Sequence, residues 1–372
     1  MKKFRDFLYA RNWYLWISGI LSFFIFLILY GVTVWLGGRQ LSQQMAERWS
    51  EKKDVSQISC FFSPNAGITS EQIESFRHSL DSALQEASIV QDSPNADARL
   101  WADAYSADGK ITVSSDRSKL TADAIGIGGD FFQFHPLQLL DGGYFSESYL
   151  NQDYCILDEE AAWQLFGSND IAGMIVTINE IPHIVAGVVK REDGRLAEAA
   201  GLDSTVIYVS YSTLSSLGSC NGINHYEIVM PNPVKSYALN YVKEHIGVAD
   251  KEIEVVENST RYDLLKRFQV LAGFGTRSMN GKAIIYPYWE NIARGYEDII
   301  ALITLFAALF LLYPVALFLI FIVIQWRHKT WTARSIYLGL QDKWERKREK
   351  LWERKQRKKK YKDRFDEEEE LL

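Results

Sequence analysis

The sequence predicts an α+β extracytoplasmic domain of two βα-rich subdomains, held between two transmembrane helices. Three observations predict it. Residues 13–37 form 25 uncharged positions and residues 299–326 form 28, and at about 1.5 Å of rise per residue the shorter run already reaches about 37 Å, enough to span a bilayer with some tilt. Basic residues flank both runs on their outer sides, which puts both termini in the cytoplasm and residues 38–298 outside it. Between the runs, short β-branched stretches alternate with amphipathic ones, the pattern of mixed helices and strands.

Charge supports this partition. The formal net charge of −6 hides an asymmetry: residues 1–12 carry four basic residues (Lys2, Lys3, Arg5, Arg11) against one acidic, and residues 327–372 carry sixteen against ten. The remaining 21 basic and 36 acidic residues give the segment between the spans a net of −15. An acidic domain is a poor nucleic-acid partner. A cleaved signal peptide would have a shorter apolar core and a small-x-small cleavage site, so residues 13–37 read as an anchor. Trp13, Tyr14, Trp16 and Trp35 sit where interfacial anchors belong.

Taken in order, residues 40–53 are polar and free of proline and glycine, and read as a stalk continuing the first span. Residues 55–62 read as a strand. Residues 69–90 read as a helix capped at Ser70, with Ile73, Phe76, Leu80 and Leu84 on one face. Residues 98–104 and 110–113 read as a hairpin turning at Asp108-Gly109. The glycines of 125–129 read as a tight turn into Phe131-Phe132. After strand 154–157, Asp158 caps a helix over 159–166 that stops at Gly167. Residues 174–178 and 181–189 form a hairpin around Asn179-Glu180. Residues 191–203 are charged and alanine-rich, a loop or short helix. Strands follow at 205–210 and 226–230, then a helix at 234–246, a strand at 253–256 and a helix over 261–272 that could pair with the stalk through Leu264, Leu265, Phe268 and Leu271. Pro314 should kink the second span.

The order and spacing of three features resemble a known family. They are Gly128-Gly129-Asp130-Phe131-Phe132 leading to Leu140-Asp141-Gly142-Gly143-Tyr144-Phe145; Leu157-Asp158-Glu159 with Ala161-Ala162 and Leu165-Phe166-Gly167; and Ile184-Val185-Ala186-Gly187-Val188-Val189. Residues 125–189 resemble the MacB-like periplasmic core domain of MacB/FtsX-type ABC transporter permeases. The resemblance implies a membrane-anchored subunit of such an assembly, whose outer domain relays ATP-driven motion to a substrate or partner. It also implies partners: an ABC ATPase and a longer permease subunit. Family permeases carry four membrane helices, three after the core domain, with the ATPase-docking segment between two of those. One span after the core here leaves coupling to a partner, through the tail or the first twelve residues, or to a homodimer through the membrane helices.

Motifs for other chemistry are lacking. No G-x-x-x-x-G-K-[ST] loop occurs; residues 275–282 have one residue too many between their glycines. Gly126-Ile127-Gly128-Gly129 misses the dinucleotide spacing. His78, His135, His183, His225 and His245 form no H-E-x-x-H or i, i+4 pair, and Cys60, Cys155 and Cys220 lack metal spacing. Cys60 and Cys155 read as buried thiols, with a Cys60–Cys220 bridge left open. Glu159 and Glu160 are adjacent on a helix and point apart, and Phe131, Phe132 and Phe134 read as core. No catalytic, cofactor-binding or metal-binding residue and no cofactor is assigned, and the chain is not expected to be an enzyme. Asn258-Ser259-Thr260 would be a glycosylation acceptor only in a secretory pathway that glycosylates.

The tail interleaves Trp344 with the clusters at 346–348 and 357–360 and ends in the acidic run 366–370. It reads either as a helix on anionic lipid or an acidic partner, each surface cation adding about 1 kcal/mol, or as a solvated topology signal. The overall expectation is a two-pass protein of a bacterial cell membrane. Its rivals are a non-transport scaffold or receptor that binds an envelope or peptide ligand, and, more weakly, an envelope hydrolase.

Overall fold

The computed structural model describes residues 13–52, 54–89, 98–146, 153–192, 194–202, 204–274, 277, 286–327, 337–338 and 341–352. The first twelve residues, most of the 275–282 loop, the basic cluster 357–360 and the acidic end 366–370 lie outside the described residues. The chain divides into two units, residues 1–25 with 309–372 and residues 26–308. Two long helices contribute to both: α1 (Trp13–Gly38) and α10 (Tyr288–Arg327). Only 17% and 6% of their most apolar stretches are buried, so neither is the core helix of a water-soluble fold.

In the first unit, α1 and α10 pack on each other. Proline lacks the N–H that would bond the carbonyl four residues back, and that carbonyl, Phe310 O, instead accepts from Ser22 Oγ at 2.7 Å. One turn away the hydroxyls of Ser18 and Tyr313 meet at 2.8 Å. Gly19 leaves the room that Leu317 and Pro314 occupy. Small and hydroxyl side chains are the usual means of close helix approach in lipid.

The second unit holds a mixed sheet, eleven strands among the described residues, in the order β11-β1-β10-β2-β3-β8-β5-β7-β4, with β6 on β2 and β7, and β9 on β2. The strands are β1 (Val55–Phe62), β2 (Ala102–Ser114), β3 (Lys119–Gly129), β4 (Leu139–Gly142), β5 (Tyr154–Asp158), β6 (Ile175–Ile178), β7 (Ile181–Val189), β8 (Val206–Ser210), β9 (Ser219–Cys220), β10 (His225–Pro231) and β11 (Ile253–Glu257). The helices between the spans are α2 (Met45–Trp49), α3 (Ser70–Glu86), α4 (Phe131–Phe134), α5 (Glu159–Phe166), α6 (Arg195–Ala199), α7 (Tyr211–Leu217), α8 (Tyr237–His245) and α9 (Leu264–Ala272). The two expected βα-rich subdomains are the two ends of this sheet. At one, Ile73, Phe76, Leu80 and Leu84 of α3 pack with Ala238 and Val242 of α8 on Ile58, Cys60, Tyr226 and Ile228. At the other, Ala161, Ala162 and Leu165 of α5 pack with Leu214 of α7 on Cys155, Leu157, Val185 and Ile207. A third core, on the Phe131–Phe134 segment, takes in Met45, Tyr208, Tyr288, Trp289 and Ile292.

Several local expectations hold in detail. Asp158 caps α5 by accepting from Ala161 N at 2.7 Å, and Gly167 closes it in the left-handed region. Asn179 and Glu180 both take positive φ between Ile178 and Ile181, as the tightest hairpin turns require.

Other elements differ from expectation. The expected stalk is not continuous: over residues 40–52 the chain forms a 3-10 turn, Leu41–Gln43, and the short α2, because Gln57 on β1 reaches across to accept from Met45 N and donate to Ser42 O, both at 2.8 Å. The cap of α3 is Thr69, whose N–H donates to Gln72 Oε1 at 3.0 Å. Asp108-Gly109 is no turn: β2 runs straight through it and pairs with β3 out to Ser114↔Lys119. The glycine is there for space, since a Cβ would lie 2.2 Å from Ser219 O of β9. Gly126 and Gly128 likewise lie within β3, and of the three glycines only Gly129 turns with positive φ.

Candidate functional site: the root of the long helix

The helix α10 starts eleven residues before the uncharged run and buries that extra length in the domain. Glu290, Arg294 and Glu297 recur at spacings of four and three, which places them on one helix face. All three are buried. Arg261, on the turn after β11, meets them. Its guanidinium donates both Nη atoms to Glu290, at 2.7 and 2.8 Å, and its Nε to Glu297. Nη1 also reaches Gln43 Oε1 at 3.0 Å and Asn258 Oδ1 at 3.1 Å. Arg294 bridges Glu290 at 2.6 Å and Glu254 of β11 at 2.8 Å, with its cationic carbon 3.9 Å from the Tyr286 ring centre. Arg277 pairs with Glu297. Three cations and three carboxylates are thus interleaved.

Electrostatics follow from that interleaving. Burial by itself drives Glu290 toward its neutral form, but Arg261 and Arg294 outweigh it and hold the carboxyl below the usual range. Burial would lower Arg261, and Glu290 and Glu297 instead hold it well above its ordinary value. Both stay charged.

From Arg261 a buried polar chain runs into the sheet. Asn258 Nδ2 donates to Ser59 Oγ at 2.7 Å, Ser59 Oγ donates to Glu227 Oε1 at 2.6 Å, and Glu227 Oε2 lies 2.6 Å from His135 Nε2. His135 follows the Phe131–Phe134 helix, and its ring centre is 4.3 Å from that of Trp289 on α10. The Trp289 ring also meets His225, at 5.4 Å between ring centres, and Phe131, at 5.6 Å; the Tyr208 and Tyr288 hydroxyls meet at 3.0 Å. The Gly-Gly-Asp-Phe-Phe segment is therefore wedged on the root of the spanning helix.

Two histidines distant in sequence come together on Trp289; His183 and His245 bond backbone carbonyls of Ile181 and Tyr241. Phe131, Phe132 and Phe134 are core, as expected. All three cysteines are free, which closes the question of a Cys60–Cys220 bridge. Burial pushes the Cys155 thiol up to about 12 and the Cys60 thiol higher still, so neither is a ready nucleophile. Glu159 accepts from Arg191 N while Glu160 accepts from Gln164. Asn258 is buried inside the network, its amide donating to Ser59, with no room for a glycan in this fold. Among the described residues no group of three or more His, Cys, Asp or Glu is placed to hold a metal ion.

Ser59, Glu227, Arg261 and Glu290 were not singled out by sequence reasoning. On β1 and β10 the polar residues alternate with apolar ones, which ordinarily marks a solvent face; here α10 and the Leu41–Gln43 turn cover that face. The legible signal was the spacing of Glu290, Arg294 and Glu297 just ahead of an uncharged run.

The second conspicuous feature lies on β4 and β7. Asp141 accepts from Gly142, Ile171 and Ala172 N–H groups at 2.7 to 2.9 Å, which holds its carboxyl below its ordinary value. Gly142 has positive φ, and a Cβ on it would lie 2.2 Å from Ala186 O.

Comparison with known proteins gives this architecture a family. A macrolide export ATP-binding/permease protein MacB from Chromobacterium violaceum is 29% identical over 99 residues, 26% of this chain and 15% of that protein, so the chain matches about a seventh of the length of that relative. Among solved structures, the periplasmic region of MacB from Actinobacillus actinomycetemcomitans aligns with 56% of this chain and 92% of its own, at 19% identity and a TM-score of 0.37. The extracellular domain of the noncanonic ABC-type transporter YknZ from Gram-positive bacteria aligns with 54% of this chain and 99% of its own, at 19% identity and a TM-score of 0.34. The family model of the MacB-like periplasmic core domain matches residues 37–238, more than half of the 372 residues, and the chain belongs to that family.

Proposed function

We propose that this protein is a membrane-anchored subunit of a MacB/FtsX-like ABC transporter-type assembly, in which the domain between the spans relays conformational change between the membrane helices and a substrate or partner. The observation that carries this reading is the buried network from His135 through Glu227, Ser59 and Asn258 to Arg261 and Glu290. A motion of α10 cannot leave the sheet behind without stripping buried charges of their partners, which costs several kcal/mol. Relay is the use such a joint supports. The chain itself turns nothing over; ATP hydrolysis falls to an ABC ATPase, and a longer permease subunit completes the membrane part, with the basic tail or the first twelve residues as contacts. Both termini lie in the cytoplasm and the domain outside it.

The test is crosslinking in native membranes followed by purification of the full-length protein in mild detergent and mass spectrometry. An ABC ATPase and a permease co-enriched in stoichiometric amounts is the expected result. Their absence, with the recovered proteins unchanged on deleting residues 341–372, would overturn ATP coupling and leave a stand-alone binding domain.

A further inference from the structure

The helix α9 has its apolar residues on the wrong side for a core. Leu264, Leu265 and Phe268 are 59%, 77% and 43% exposed, although the sequence suggests they would pair with a stalk. On the opposite arc Val270 is buried against the domain, and the exposed Lys266 and Gln269 line an open groove with Glu257, Arg261 and Glu297. A short amphipathic helix turned inside out in this way needs an apolar neighbour.

Its position identifies that neighbour. Arg267 Nη1 reaches between the two long helices, donating to Thr33 Oγ1 of α1 at 3.0 Å and lying 3.5 Å from Thr304 Oγ1 of α10. Tyr262, just before α9, packs on Gly37 of α1. Thr33 lies five residues inside the end of α1 and Thr304 five residues inside the uncharged run, which at about 1.5 Å per residue is roughly 7 to 8 Å below the boundary. An interfacial helix buries its apolar face about 5–10 Å deep. The apolar flanks near this level, Val34 of α1 and Leu302, Leu305 and Phe306 of α10, are exposed, and a bilayer around the two spans would cover them together with the apolar arc of α9.

We propose that α9 lies in the leaflet on the domain's side, with Leu264, Leu265 and Phe268 among the acyl chains and Arg267 pinned between the two spans. It is a third membrane contact, set across the spans and close to the Arg261 joint. Lipid packing in that leaflet then bears directly on the turn that carries Arg261. The inference rests on the two spans crossing a bilayer and not on any ATPase partner.

The test uses the full chain in phospholipid nanodiscs, in a Cys220→Ser background that leaves only the buried thiols Cys60 and Cys155. Spin labels are placed singly at Leu265→Cys and Phe268→Cys, at Ile28→Cys as a label on a span, and at Gln85→Cys as a label in water. Collision rates with oxygen and with a water-soluble nickel chelate are read at each. The expected ratio of oxygen to nickel collisions at positions 265 and 268 is several-fold above that at 85 and on the side of that at 28. Nickel access at 265 and 268 equal to that at 85, or both reagents excluded because protein covers the face, would overturn the proposal while the label at 28 still reports a lipid-facing span. If the label at 28 is itself open to nickel, the spans are not in the bilayer and the proposal fails with them.

Discussion

Arg261 gathers four side-chain partners, Gln43, Asn258, Glu290 and Glu297, and its replacement has a definite expected consequence. Arg261→Met takes from buried Glu290 and Glu297 the cation they share and leaves each with one, Arg294 and Arg277; losing one side of a buried pair costs about 3–5 kcal/mol, and the remaining cations put the expected loss at the lower end of that range. Arg261→Lys should recover only part of this, because an ammonium cannot reproduce the two-pronged contact with Glu290. Denaturant unfolding of the detergent-solubilised protein measures both. Glu290 adds a pH dependence. Its folded carboxyl titrates below the unfolded value, so its contribution is complete above the ordinary carboxylate range and is lost as pH falls through the lowered folded value. Thermal unfolding followed from neutral pH down through and below the ordinary carboxylate range should show this loss only at the acid end, and Glu290→Gln should flatten that acid slope at the expense of stability at neutral pH.

At the scale of elements, the joints between strands and between helices make separate predictions. Gly142→Ala asks for a Cβ 2.2 Å from Ala186 O at a positive φ, so β4 must move away from β7; a loss of about 1–3 kcal/mol is expected, with hydrogen exchange accelerated first in β4. In the membrane pair, Ser22→Ala leaves the Phe310 carbonyl freed by Pro314 without a partner, and a loss of about 1 kcal/mol of helix association follows, read as greater mobility of a spin label on α1. Some of these joints were legible in sequence. The Asp158 cap, the Gly167 stop and the Asn179-Glu180 turn were readable because each depends on side chains within a few residues of one another. Strand β2 was misread at Asp108-Gly109 because the reason for that glycine, the backbone of Ser219, lies 110 residues away. The stalk was misread because propensity favoured a helix that Gln57 overrides from across the fold. The joint itself stayed hidden, since alternation on β1 and β10 says which residues share a face and not what covers it.

On the scale of the whole molecule, the family match ends at residue 238, so His135, Ser59 and Glu227 fall inside the matched part, whereas Arg261, Glu290, Arg294 and α9 lie beyond it. The joint thus connects the family core to the membrane segment that follows. On the proposed reading, sheet and helix root move as one body. Hydrogen exchange on the full-length protein in nanodiscs, wild type against Arg261→Met, tests it most directly by following residues 288–298 of α10 together with β1 and β10. Losing about 3 kcal/mol of shared protection corresponds to roughly a hundredfold faster exchange, and the account predicts that acceleration in both segments at once. Acceleration confined to residues 258–264, with the α10 root and the strands exchanging at the wild-type rate, would contradict it.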